Sequence, residues 1–232
     1  MFMTDPIPTM RRELYVVAFA LALLAVLALA VDLPIARACR PDPTTRRNVV
    51  PKSIQKFFTL SEVYAHGAGI ASIAITLFLC DTTRRRRIPR LLLATFGAGL
   101  AADVVKFLLI ARKRPSAADL NGSVLDTFVA WFPLLSDKFA DQPYTRSFQS
   151  CPSAHSAAAA GLSVALATLY PNGRWWFAFL ALASMLQRID AGAHFPSDTL
   201  AGAALGCFIG SLAVAGQTYG AGGREPEGSE PG

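Results

Sequence analysis

Charge is what this sequence has least of. Charged residues make up 16% of its 232 residues, against about 25% in a soluble domain. So thin a polar coat points to surface that faces lipid, and 53% hydrophobic residues with a mean hydropathy of +0.38 agree. Nucleic-acid motifs are absent. The net charge of +6 suits either nucleic acid or an anionic membrane. Its basic residues cluster between apolar runs rather than along one amphipathic helix, which leaves the membrane. Cysteine is sparse and unpatterned. Cys39, Cys80, Cys151 and Cys207 show no CxxC pair and no zinc spacing, so no metal site is expected. Cys39 and Cys151 fall on one expected side of the membrane and are read as free thiols rather than a disulfide. Histidine is scarcer still, with three residues. No internal repeat is present.

What the chain does have is apolar runs, six of them. They are roughly 14–31, 63–80, 88–111, 153–169, 175–186 and 199–215. A helix needs about 20 apolar residues to cross the hydrocarbon core. The pattern therefore predicts an all-α integral membrane bundle of about six transmembrane helices over 14–216. A short N-terminal segment, 1–13, precedes it, and a Gly-, Glu- and Pro-rich tail, 217–232, expected to be disordered, follows. The fifth run is short. The sixth is rich in Gly and Ala, which suits close helix packing. The first run has a rival reading as a signal peptide, with Arg11 and Arg12 before it and Ala36-Arg37-Ala38 after it. It exceeds the about 7–15 residues of a signal core, so a retained span is expected.

Orientation follows from the short loops. Arg84–Arg87 with Arg90 marks the loop between runs two and three as cytoplasmic. Arg11 and Arg12 agree, so both termini are expected inside, in a bacterial inner membrane. The segment from Asp32 to Ser61 disagrees. It carries Arg37, Arg40, Arg46, Arg47, Lys52 and Lys56 yet falls outside. It is read either as a basic loop on anionic headgroups or an acidic substrate, or as a solvated linker held by Pro34, Pro41, Pro43 and Pro51. The long connection 116–151 holds Trp131, Phe132, Phe139, Tyr144 and Phe148, residues that favour the membrane interface.

Three clusters can do chemistry, and each has a plainer structural reading. His155 stands in Cys151-Pro152-Ser153-Ala154-His155-Ser156. Proline and a hydroxyl cap suit a helix start, whose free N–H groups attract phosphate. A histidine there can protonate a leaving oxygen, or simply sit at the interface. His194 lies in the turn before run six, with Asp198 at i+4 and Arg188 upstream. A carboxylate at that spacing can hold one imidazole nitrogen and free the other to attack. The plainer reading is an ion pair in a turn, which leaves the histidine unexplained. Lys106, with Arg114-Pro115, ends run three. A lysine in an apolar helix needs a partner or a task; Asp103 at i−3 is the structural partner, and a phosphate clamp the functional one. The expected topology puts all three clusters on one side. His66, the remaining histidine, is read as packed and hydrogen-bonded within its helix, with a substrate-headgroup role as the minority reading.

These clusters resemble the tripartite signature of the type 2 phosphatidic acid phosphatase family, shared with the vanadium haloperoxidases. The pattern is a lysine, six residues, Arg-Pro; then Pro-Ser-Gly-His; then Ser-Arg, five residues, His, three residues, Asp. Arg188, His194 and Asp198 match with the family spacing. Three positions depart. Seven residues separate Lys106 from Arg114, which on a straight helix turns the lysine by about 100°, so Lys106 or Lys113 is the family lysine. Ala154 replaces glycine, and Gln187 replaces serine. The resemblance implies a phosphatase that needs no metal or other cofactor. It implies His194 as nucleophile, Asp198 as its orienting group and His155 as acid and then base. Lys106, Arg114, Arg188 and Ser153 would hold the phosphoryl oxygens. The substrate implied is a lipid phosphate, with phosphatidic acid, phosphatidylglycerol phosphate, isoprenyl diphosphate and lipid A phosphate as candidates. Phosphotransfer to a second lipid, and a degenerate lipid-binding or transport protein on the same scaffold, are the rival readings. Neither the oligomeric state nor the lipid is legible.

Overall fold

The computed structural model describes residues 6–40, 50–140 and 143–215, with side chains from Arg12 onward. Arg11, Pro41, Pro43, Arg46, Arg47 and the tail 217–232 lie outside the described side chains. Seven helices make the body: α1 (Pro6–Cys39), α2 (Lys52–Ser61), α3 (Gly67–Cys80), α4 (Ile88–Leu108), α5 (Ala154–Leu169), α6 (Arg174–Asp190) and α7 (Pro196–Val214). A two-stranded antiparallel ribbon, β1 (Ile110–Arg112) with β2 (Phe128–Trp131), follows α4. The all-α membrane expectation holds, and the ribbon is a small addition to it.

Among the described residues, α1, α4 and α7 are long and apolar enough to cross a membrane. The α2–α3 pair, bent by 63°, makes up to four. This is fewer than the six runs. α5 is apolar but only 16 residues long. It is buried on most of its faces between α4, α6 and α7, so it supplies core rather than lipid-facing surface. The lipid-facing residues are on the outer helices, where Phe19, Leu27, Phe78 and Leu100 are exposed.

Two expected boundaries move. The two ends of the segment 32–61 are helical rather than linker: α1 continues through Asp32 and Pro34 to Cys39, and α2 begins at Lys52. Hydropathy ends the first run at Asp32 because a buried carboxylate is costly, but this one has a cation partner inside the fold. At about 1.5 Å per residue α1 is about 51 Å long, against about 30 Å of hydrocarbon, so its C-terminal turns can stand among headgroups. The third run also ends early. α4 stops at Leu108, and Ile110–Arg112 turns extended to pair with β2. Cys39 and Cys151 are both free thiols.

α7 packs on α1, α4 and α5 through small residues. A Cβ built on Gly206 would lie 2.3 Å from the Ala157 carbonyl oxygen, and one on Gly202 would lie 2.3 Å from that of Ser153. Only glycine allows the backbones this close. This contact sets the height of the α5 N-terminus against α7. The bundle then has two unlike ends. The four-arginine turn is fixed at one, where Arg84 pairs with Asp81 (2.8 Å) and the Tyr170 hydroxyl donates to the same carboxylate (2.7 Å). The C-termini of α1, α4 and α6 meet the N-termini of α5 and α7 at the other.

Gly206→Val is expected to lower stability by at least the roughly 1–3 kcal/mol of an overpacked core. A thermal unfolding midpoint in detergent equal to wild type would show that this approach is not tight.

Candidate active site

A buried arginine, absent from the sequence expectations, organises this end. Arg112 is 0% exposed. Its Nη1 donates to Asp198 Oδ1 (2.5 Å) and Ser197 Oγ (2.7 Å), its Nη2 to Asp32 Oδ2 (2.7 Å) and its Nε to Thr127 Oγ1 (3.0 Å). The Phe128 and Phe195 rings flank its guanidinium, 4.5 and 4.4 Å from their centroids. Asp32 also accepts from the Ser197 amide at the start of α7 (3.0 Å), where the helix dipole favours an anion. One sequence signal pointed here: an acid ending an apolar run implies a cation partner.

Asp198 does not hold His194 as expected. Its Oδ2 accepts from Ser150 Oγ (2.6 Å) and from the Phe195 amide (2.9 Å), and its Oδ1 faces Arg112. The i+4 rule fails because it needs both residues on one helix. His194 precedes α7, whereas Asp198 caps that helix from within its first turn. The imidazole is held by the chain instead: Nδ1 lies 2.7 Å from the Ser150 carbonyl oxygen. A carbonyl only accepts, so Nδ1 carries the proton and Nε2 keeps its lone pair. Asp198 and His194 are thus linked through Ser150, whose hydroxyl donates to the carboxylate and whose carbonyl meets the imidazole. Burial, then the positive charges of Arg114, Lys106 and Arg188, push the His194 pKa well below the usual 6.5.

The expected residues converge. Lys106, Arg114 and Arg188 bear on His194, and Arg188 and Lys106 also bear on His155. Both histidines thus lie within the field of Lys106 and Arg188. Arg114 is held by its amide on the Ser147 carbonyl (2.8 Å), and its own side-chain Nε is buried without a partner among the described residues. Burial and the neighbouring Arg188 and Arg146 lower its pKa. Arg188 Nε is likewise buried and unpartnered. Ser153 caps α5, accepting from the Ser156 amide (3.3 Å), and its hydroxyl proton remains available.

Lys106 has the structural partner the sequence offered, Asp103 at 2.9 Å, yet only 5% of it is exposed, beneath the cluster. The expected 100° error does not arise. The helix ends two residues beyond Lys106 and the chain runs extended, where an added residue lengthens the reach by about 3.3 Å rather than rotating it. Lys113 does not figure among the main influences on either histidine. Ala154 opens α5 as a glycine would. Gln187 donates to Glu62 (3.1 Å), and Arg188 Nη1 pairs with the other oxygen of the same carboxylate (2.5 Å). Glu62 had not been singled out from sequence. His66 is exposed, not packed in a helix as expected, because it precedes α3 in extended conformation.

The chain is similar to known proteins in sequence and in fold. The family model of the PAP2 superfamily matches residues 87–220. A lipid A 1-phosphatase of Rhizobium etli is 28% identical over 171 residues, covering 70% of this chain and 71% of that protein. A lipid A 1-phosphatase of Rhizobium johnstonii is 38% identical over 66 residues, 28% of this chain and 27% of that one. The crystal structure of Aquifex aeolicus LpxE superposes with a TM-score of 0.53 at 21% identity, over 72% of this chain and 88% of that one. A transmembrane PAP2-type phosphatidylglycerolphosphate phosphatase of Bacillus subtilis gives 0.52 at 18% identity, over 88% and 93%. At such identities the structures speak for the fold.

Arg112→Ala would leave two carboxylates buried without their cation, a loss of about 3–5 kcal/mol. The unfolding midpoint in detergent is expected to fall accordingly, and a midpoint unchanged from wild type would remove Arg112 from the centre of this network.

Proposed function

The chain belongs to the PAP2 superfamily and is a membrane phosphatase, and on that footing we propose that it hydrolyses the phosphate ester of a lipid through a phosphohistidine on His194. The observation that carries this reading is the His194 imidazole. Its Nδ1 is fixed on a carbonyl and its Nε2 is free, in the field of Lys106, Arg114 and Arg188. Two buried guanidinium N–H groups there lack acceptors, as donors meant for phosphoryl oxygens would.

In the first step His194 Nε2 attacks phosphorus and the bond to the lipid oxygen breaks. His155 gives its proton to that oxygen, and the lipid alcohol departs. In the second step His155 takes a proton from water, the water oxygen attacks phosphorus, and the P–N bond returns its electron pair to Nε2. Inorganic phosphate leaves. Lys106, Arg114, Arg188 and the Ser153 hydroxyl at the α5 N-terminus meet the spreading equatorial charge, the main catalytic task in phosphoryl transfer. Asp198 acts through Ser150, keeping the carbonyl that selects the His194 tautomer.

The arginine turn at the opposite end of the bundle supports a cytoplasmic assignment for that end. The site then opens to the exterior leaflet, the periplasmic one in a bacterial inner membrane. The relatives named lipid A 1-phosphatase make lipid A 1-phosphate the first substrate to test.

Purified protein is expected to release phosphate from a panel of lipid A 1-phosphate, phosphatidylglycerol phosphate, phosphatidic acid and isoprenyl diphosphate. No metal should be needed, vanadate should inhibit, and His194→Ala should be inactive. Equal activity in that variant would remove His194 from the mechanism, and silence on every lipid would favour a lipid-binding protein on this scaffold.

The pH profile offers a second check. A lowered pKa keeps His194 neutral at and somewhat below pH 6.5, so the acid limb of kcat/KM should lie below that value. Arg114→Gln removes the nearby charge that most opposes protonation, so it should shift the limb upward as well as slow the reaction. A limb that stays or moves down would show that a different group sets it.

A further inference from the structure

The anion on Arg188 has no part in the reaction just described. We propose that Glu62 is a positioning residue that presents Arg188 to the phosphate. This rests on the phosphatase reading above and adds a member to its site.

Glu62 lies in the 3-10 turn Glu62–Ala65 that continues α2, just before the break at His66 where the chain bends by 63° into α3. Its Oε1 accepts from Arg188 Nη1 and its Oε2 from Gln187 Nε2. Two consecutive residues of α6 are thus clamped by one carboxylate. A guanidinium has five N–H donors in a rigid plane. Anchoring Nη1 on Glu62 restrains the guanidinium, and leaves Nε, buried and without a partner among the described residues, on another edge. Arg188 can therefore hold carboxylate and phosphate at once, and Glu62 need not leave when substrate arrives.

The same contact accounts for the departure at residue 187. The related pattern has serine there. A serine hydroxyl reaches about one carbon from the backbone, too short to span to a carboxylate on another element, whereas a glutamine amide reaches three. Gln187 and Glu62 form a matched pair. The clamp also ties the site to the lipid-facing surface. α2 exposes Ile54, Phe57 and Leu60 along one face, and Phe57 rests on Phe179 of α6 (6.1 Å between ring centroids). Where α2 settles against lipid fixes where Glu62 stands.

The test is a double-mutant cycle of Glu62→Ala and Arg188→Ala in the purified full-length protein. The readouts are kcat/KM on the lipid turned over fastest by wild type, the affinity for inorganic phosphate by calorimetry, and the unfolding midpoint. Glu62→Ala should lower kcat/KM and phosphate affinity by roughly 10- to 100-fold, as the loss of a positioning contact does, with little change in midpoint. Adding it to Arg188→Ala should cost nothing further. Glu62→Gln, which keeps one acceptor, should fall between, and it carries the cycle if the alanine variant does not fold. Gln187→Ser should move in the same direction as Glu62→Ala. Losses that multiply in the double variant, or a Glu62→Ala protein with wild-type phosphate affinity, would overturn the proposal. Phosphate binding is read without turnover. An inactive wild type, or an active His194→Ala, would therefore sink the phosphatase reading while the Glu62–Arg188 coupling is still decided.

Discussion

A guanidinium with no exposure to solvent sets terms for everything around it. Arg112 needs anions, hydroxyls and aromatic faces in fixed places, and it gets them from α1, β2 with the turn before it, and α7. Desolvating such a group costs several kcal/mol, so the partners cannot drift without a large penalty. Asp32 comes from the first helix and Asp198 from the last, 166 residues apart in number but on the same cation. The chain's two ends of sequence are joined at the depth where the chemistry sits. Once Asp198 is held there, Ser150 is held by its hydroxyl and His194 by the Ser150 carbonyl. The imidazole inherits its orientation from Arg112 through two intermediates.

Backbone packing supplies the second constraint. Small residues let α7 lie directly on the carbonyls of Ser153 and Ala157. The Ser153 amide also donates to the Asp198 carbonyl (3.0 Å). The start of α5, with Ser153 and His155, is thereby pinned to the start of α7. One contact brings His155 to the level of His194, and no side chain of either needs to be long. A hydrophobic interface of large residues would separate the axes and lose this register, since the ordinary interaxial distance is about 8–10 Å and set by contact side chains.

Much of this was legible because it is local. The apolar runs gave the helices, and proline and serine before Ala154 gave the start of α5. The spacing from Arg188 to His194 spans one helix end and one turn, and the structure keeps it. The misses were long-range pairings. Asp32 and Arg112 each look like interruptions of apolar sequence, and only the fold shows that they interrupt it for each other. Glu62 sits in an unremarkable turn whose partners lie 125 and 126 residues on. Asp198 misled for a different reason: its spacing from His194 crosses a turn, and His194 lies two residues before the helix begins. The Lys106 spacing misled likewise, by assuming a helix where the chain had already become a strand.

Satisfaction of donors separates the arginines of this end into two kinds. Arg112 spends its side-chain N–H groups on Asp32, Asp198, Ser197 and Thr127, and its charge is met by two carboxylates. It has little left to offer a ligand, and its partners leave a local surplus of one negative charge. Arg114 and Arg188 are also largely shielded from water, yet each keeps a buried donor without an acceptor. A buried unsatisfied donor costs about 1–3 kcal/mol or more when charged, a cost that a purely structural residue would have no reason to carry. In the proposed reaction a phosphoryl group would supply acceptors and negative charge together. Glu62 meets only part of the Arg188 demand: it accepts from Nη1 and leaves Nε without a partner among the described residues.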